Sequence, residues 1–215
     1  MHLPSKARFL SEAEWNILTG VFGDTLPFRR RILLTDGLGG GDAPFTIPTS
    51  AISFHTLPAA IQAVLSGLAL QYLGGQNGAL AQAMNAVGSV GPGALLSQLS
   101  SIANLGYLVN VGPLAFPDMT GSFQNLLVHE LTHVWQGKNS LAATTYVVNS
   151  IMHQCRASVY GSSRDGAYNY PAGLPWPNYN TEEQASIVEH WFASGMPESG
   201  DLWPYIRDYV RHGLV

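Results

Sequence analysis

The chain has almost no cysteine and few charges. Cys155 is the single cysteine among 215 residues, so no disulfide can close within the chain, and thiol usage says nothing about its compartment. Charged residues make up 11% of the sequence, against roughly 25% in ordinary soluble domains. The net charge of −4 lacks the basic excess that draws proteins to nucleic acid or to an anionic membrane surface. Long hydrophobic runs are missing too. The two most apolar stretches, Leu57 to Leu73 and Ala94 to Val111, are broken by Gln62, Ser66 and Gln71 and by Gln98, Asn104 and Asn110. Neither reaches the ~20 apolar residues that a membrane span requires. The opening MHLPSKARFLSEAEW holds no apolar core of the kind found in signal peptides, so the expected location is the cytoplasm, or outside it by a non-classical route.

What is present is concentrated in residues 129 to 133, which read HELTH. Four residues apart on a helix, His129 and His133 lie about 40° from each other on one face. Two imidazole nitrogens so placed can reach one Zn²⁺, while Glu130, one step round, can reach a water beside the metal. A random chain with seven His and as many Glu would contain HExxH with a probability of only about 0.007. The surrounding FQNLLVHELTHVWQG also has a helical pattern. Phe123, Leu127, Leu131 and Val134 form an apolar arc, and Asn125, His129, Thr132, His133 and Gln136 form a polar stripe. Such a stripe suits the floor of a cleft. Ser122 is the expected start of this helix and Gly137 its expected stop.

Elsewhere the pattern predicts one α+β domain over 1–215, mostly helical, with a small sheet ahead of the HELTH helix. Ser11 and Glu14 form a capping box opening a helix that ends near Gly20 or Gly23. Arg31 to Thr35, Ala51 to His55 and Tyr107 to Val111 are strand-like, and the edge of such a sheet could hold a substrate backbone. An apolar, Gly- and Ala-rich insertion is expected at about 57–105, packed rather than membrane-inserted. Ser140 is placed to cap a helix running to about Ala157, and a Pro/Gly/Tyr-rich loop follows it. Thr181 with Gln184 reads as a further capping box, and Asp201 as the cap of a last helix ending at Gly213.

Two histidines need a third protein ligand. The metzincin extension asks for Gly at 136 and His at 139, and Gln136 and Asn139 exclude it. A gluzincin site asks for a Glu on a later helix with a small residue three further on, which Glu182 and Ala185 supply. Helical phase sets Glu182 on the flank of the apolar face, at about 110° from its centre, and Glu183 nearly opposite it. Glu182 is therefore the better ligand candidate, and Glu183 reads as a solvated carboxylate of the first turn. A rival third ligand is Asp165, because GSSRDGAYN loosely resembles an aspzincin pattern. If zinc is bound, it activates a water and polarises a carbonyl, and Glu130 takes the proton of that water. Tyr168 and Tyr170, with His190 behind them, are candidates to stabilise the oxyanion.

VHELTHVWQ, then YNY, then NYNTEEQASIVEHWF resembles a group of small bacterial zinc-peptidase-like proteins labelled as Rhs/Vgr secretion-associated. The opening RFLSEAEWNILTGVFGDTLPFRRRILL and the segment TIPTSAISF are similar to theirs as well. The resemblance covers about two thirds of the chain. It implies a zincin-like, gluzincin-type metallopeptidase with His129, His133 and Glu182 as ligands and Glu130 as the base. It also implies a peptide or protein substrate, and it allows a secretion-machinery partner and a type VI-like export route. Glu183 stands where the group has Gln, and His190-Trp191 where it has Asp-Tyr, which leaves the substrate open. Two other functions fit the same residues: a zinc-binding but inactive interaction module of a secretion system, and a membrane-active effector carried by the metallo-fold.

Overall fold

The computed structural model describes residues 6–38, 42–48, 106–140, 170–171 and 173–215. Four short strands form a mixed sheet: β1 (Ala7–Phe9), β2 (Ile32–Thr35), β3 (Phe45–Pro48) and β4 (Tyr107–Asn110), in the order β1-β2-β4-β3. β1 runs antiparallel to β2, β2 parallel to β4, and β4 antiparallel to β3. The α-helices among the described residues are α1 (Glu12–Phe22), α2 (Gln124–Asn139), α3 (Thr181–Ala193) and α4 (Trp203–Asp208). The architecture is α+β, as the sequence predicts. None of the described helices is long and apolar enough to cross a membrane.

Strand β2 pairs residue for residue with β4, from Ile32 opposite Tyr107 to Thr35 opposite Asn110. Both strands are rich in β-branched and apolar residues, and β4 is buried throughout, as a strand with neighbours on both sides should be. Thr35 Oγ1 donates to Asn110 Oδ1 at 2.6 Å, which satisfies two polar groups inside the sheet. Strands β1 and β3 carry no expectation from the periodicity, because three or four residues are too few to show a period of two. The strand-like segment Ala51 to His55 lies outside the described residues. So do the whole 57–105 insertion and the helix expected after Ser140.

Helix α1 begins as its capping box predicts. Glu14 N–H donates to Ser11 Oγ, and Ser11 N–H donates to Glu14 Oε2. Gly23 closes the helix at φ 57°, a left-handed backbone that glycine adopts without steric cost. Glu14 also pairs with Arg8 through two bonds of 2.6 and 2.7 Å and accepts from Met119 N–H.

Helix α2 departs from expectation at both ends. No side chain caps its start, where Phe123 rather than Ser122 stands at the cap position. At the other end Gly137 is not a stop, and the helix continues to Asn139. The glycine serves packing instead: a Cβ there would meet Tyr107 Cε1 at 2.9 Å, so its absence lets β4 approach. Beyond it the helix is fastened. Lys138 Nζ donates to the carbonyls of Thr25 and Leu26 at 2.9 Å, and Asn139 Nδ2 to that of Thr25. Trp135 Nε1 donates to Val210 O at 3.0 Å and to Thr25 Oγ1 at 3.1 Å.

Helix α3 packs along α2. Its cap is Asn180, one residue before the expected Thr181. Asn180 Oδ1 accepts from Glu182 N–H and Glu183 N–H, and the Glu183 carboxylate accepts from Asn180 N–H. Asn is the stronger cap, and the Gln184 side chain is engaged elsewhere. Before α3, Trp176 is fully enclosed between Tyr205 and Tyr209, and Tyr179 Oη donates to Pro171 O at 2.7 Å. These contacts tie the tyrosine-rich loop to α4. That last helix is short and starts after Leu202 without the expected Asp201 cap. A 3-10 turn follows it and ends at Gly213 in the left-handed conformation.

Candidate metal centre

Residues 127–137 of α2 are buried on every side, the polar stripe included. One flank of that stripe is covered by α3 and the other by β3, and the chemistry-bearing side chains meet there. From α3, Glu182 Oε2 lies 3.3 Å from His129 Nε2 and 3.4 Å from His133 Nε2. One ligand atom from each of the three residues lies within 4.8 Å of the others. Helical phase favours Glu182, on the flank of the apolar face, over Glu183, nearly opposite it. The structure does the same, because Glu183 is spent on the helix cap.

Both histidines are also held through their other ring nitrogen. His129 Nδ1 is 3.0 Å from Glu189 Oε2, and His133 Nδ1 is 3.0 Å from Gln136 Oε1. The two rings stand nearly perpendicular, with centroids 5.1 Å apart. Glu130, one step round α2, accepts a 2.9 Å hydrogen bond at Oε2 from Thr46 Oγ1 of β3. The base candidate is therefore tied to the sheet, and the ligand candidates to α3.

The electrostatics follow from burial and proximity. Burial by itself lowers the His129 pKa, but hydrogen bonds to Glu182 and Glu189 and the charge of Glu130 outweigh it and push the value up to about 10. Burial acts on His133 in the same direction and is likewise overcome by Glu182. Burial would raise the Glu182 pKa, yet the two histidines hold it well below the usual carboxylate range. Glu130 differs: burial outweighs both histidines, and its pKa rises. The site thus favours positive charge strongly, and a proton can supply that charge only until a cation displaces it.

The donor set fits a divalent metal of the zinc type. Two imidazole nitrogens and a carboxylate oxygen converge, which is the composition of a three-ligand site that leaves a fourth position open. Glu182 Oε1 is buried without a hydrogen-bond partner among the described residues, an expensive state for a carboxylate oxygen unless a cation lies beside it.

Other candidates fare differently. Asp165 and Tyr168 lie outside the described residues. The Tyr170 hydroxyl meets His190 Nδ1 at 3.0 Å, and its ring packs edge-on against Tyr179. His190 thus stands against Tyr170. Glu189, Gln136 and Thr46 carried no functional expectation. Glu189 had a signal in its seven-residue spacing from Glu182, and Gln136 in its three-residue spacing from His133. Thr46 had none, since its role depends on how β3 meets α2.

Compared with known proteins, the chain matches no family model, no curated protein and no solved structure.

Proposed function

We propose that the chain is a zinc-dependent metallopeptidase of gluzincin type on a zincin-like fold. The observation that carries this reading is the convergence of His129 Nε2, His133 Nε2 and Glu182 Oε2, with the buried carboxylate of Glu130 on the adjoining step of the same helix. The resemblance of VHELTHVWQ and EEQASIVE to the secretion-associated zinc-peptidase-like group supports it. The site would take a peptide or protein substrate.

When bound, zinc would polarise a substrate carbonyl and acidify a water. The remaining work falls to this chain's own groups. Glu130 receives a proton on its carboxylate and later returns one to the leaving amine. Its position suits that exchange, since it lies one step round the helix from His129 in a site closed to bulk water. Thr46 orients the carboxylate from the β3 side. A structural metal site would have no use for Glu130, so the inactive-module reading leaves a buried carboxylate unexplained.

The test is metal content, measured by elemental analysis on the purified wild type and on Glu182→Ala, Glu183→Ala and Asp165→Ala. One zinc per chain, lost with Glu182 and retained with the other two, is the expected result. Zinc lost with Asp165 instead would replace the third ligand, and no zinc in a reconstituted wild type would end the reading.

A further inference from the structure

The two histidines are braced from behind by acceptors of different chemistry. On α3, Glu189 follows Glu182 by seven residues, so the two carboxylates lie about 20° apart on the face turned toward α2. Glu182 Oε2 meets the Nε2 edge of His129, and Glu189 Oε2 meets its Nδ1 edge. A carboxylate only accepts, so the hydrogen between His129 and Glu189 sits on Nδ1.

For His133 the same position is taken by Gln136, one turn further along α2. The orientation of this amide is decided by its surroundings. Gln136 Nε2 lies 3.0 Å from Thr181 O, a carbonyl that can only accept, and 2.8 Å from Gln184 Oε1. Gln184 is oriented in turn, since its own Nε2 donates to Trp176 O at 3.3 Å. Gln136 Oε1 is therefore the atom left to face the imidazole, and it accepts from His133 Nδ1–H. Once a cation displaces the Nε2 protons that face Glu182 Oε2, both rings are left as Nδ1–H tautomers.

We propose that Glu189 and Gln136 are positioning residues of the metal centre, holding His129 and His133 as Nδ1–H tautomers that present Nε2 to the metal. The two are not equivalent. A carboxylate, Glu189, stands behind His129, whereas the Gln136–Gln184 relay orients His133 through neutral amides. The inference rests on the metal-site reading above. Partners of this kind are worth about 10- to 100-fold in metal affinity.

The experiment measures zinc affinity by competition with a chromophoric chelator for wild type, Glu189→Leu, Glu189→Gln and Glu182→Ala. Long-range ¹H–¹⁵N spectra of the zinc-loaded wild type are recorded beside it. Glu189 is partly exposed, with 26% of its side chain accessible, so Leu and Gln there can be accommodated. The expected results are about 10- to 100-fold weaker binding in Glu189→Leu, partial recovery in Glu189→Gln, and Nδ1–H signals with Nε2 coordination at both histidines. Gln136 is fully enclosed, and the spectra report on it without a substitution. Wild-type-like affinity in Glu189→Leu, or Nδ1 coordination at either histidine, would overturn the proposal while leaving the metal site intact. Wild type and Glu182→Ala binding zinc equally poorly would overturn both.

Discussion

Glu130 is flanked in sequence by a metal-ligand candidate and in space by Thr46, and its carboxylate is nearly inaccessible to bulk water. Glu130→Gln keeps the shape and removes the proton acceptor. The expected outcome is a protein that binds zinc as the wild type does but has lost at least ~100-fold in peptide hydrolysis, checked by elemental analysis beside a fluorogenic peptide library. Thr46→Val removes one hydrogen bond to the proposed base and leaves the candidate metal ligands untouched. A smaller loss of hydrolysis at unchanged zinc content is expected, with Thr46→Ser restoring it. Residues on a single helix were legible in the sequence because helical phase alone relates them. His129, Glu130 and His133 were visible as a motif, and Glu182 was separable from Glu183 by angle. Thr46 was not legible, because its partner lies 84 residues away and only the meeting of β3 with α2 joins them.

Among the elements, α1 offers the clearest electrostatic prediction. Burial raises the Glu14 pKa, but the Arg8 guanidinium and the Ser11 cap outweigh it and hold the carboxyl below its ordinary value of 4.5. A depressed carboxyl stabilises the fold fully above its unfolded value and ceases to do so as pH falls through its folded one. Denaturant titrations should therefore show the wild type losing stability below pH 4.5. Glu14→Gln should lose less there and be destabilised by ~2 kcal/mol at pH 7. Helix α2 supplies a second test. Alanine is intrinsically better than glycine in a helix by about 1 kcal/mol, yet Gly137→Ala would drive a methyl into the Tyr107 ring. Net destabilisation of about 1 kcal/mol is expected from urea unfolding, reversing the propensity rule. The same contact explains why Gly137 reads as a stop in the sequence and is none in the structure. Helix ends are set locally only where a side chain caps them, as at Ser11 and Asn180. The start of α2 has no such cap to read.

At the scale of the whole molecule, the candidate centre joins α2 to an α3 carboxylate some fifty residues later, so metal binding cross-links two packed elements. A ligand that binds only the folded state stabilises it by ~4 kcal/mol at about a thousand times its dissociation constant. For a chain of this size that corresponds to a rise in Tm of roughly 8–16 °C. Calorimetry with zinc and with a chelator should show that shift in the wild type and not in Glu182→Ala. The class of fold was legible because the strand-like runs fall ahead of the HELTH helix and helical patterns follow it. The mixed strand order was not, since the parallel pairing of β2 with β4 spans about seventy residues, and nothing in either strand names its neighbour. One feature of α2 bears on the speed of metal uptake. Trp135, Lys138 and Asn139 fasten its C-terminal end to Thr25, Leu26 and Val210, so the helix cannot slide along its axis without breaking that set of bonds. Gln136 in turn holds the same helix to Thr181 and Gln184 of α3, so His129 and His133 keep their spacing to α3 before any ion arrives. Association then needs no folding step, and its rate should rise linearly with zinc concentration instead of levelling off at a conformational limit.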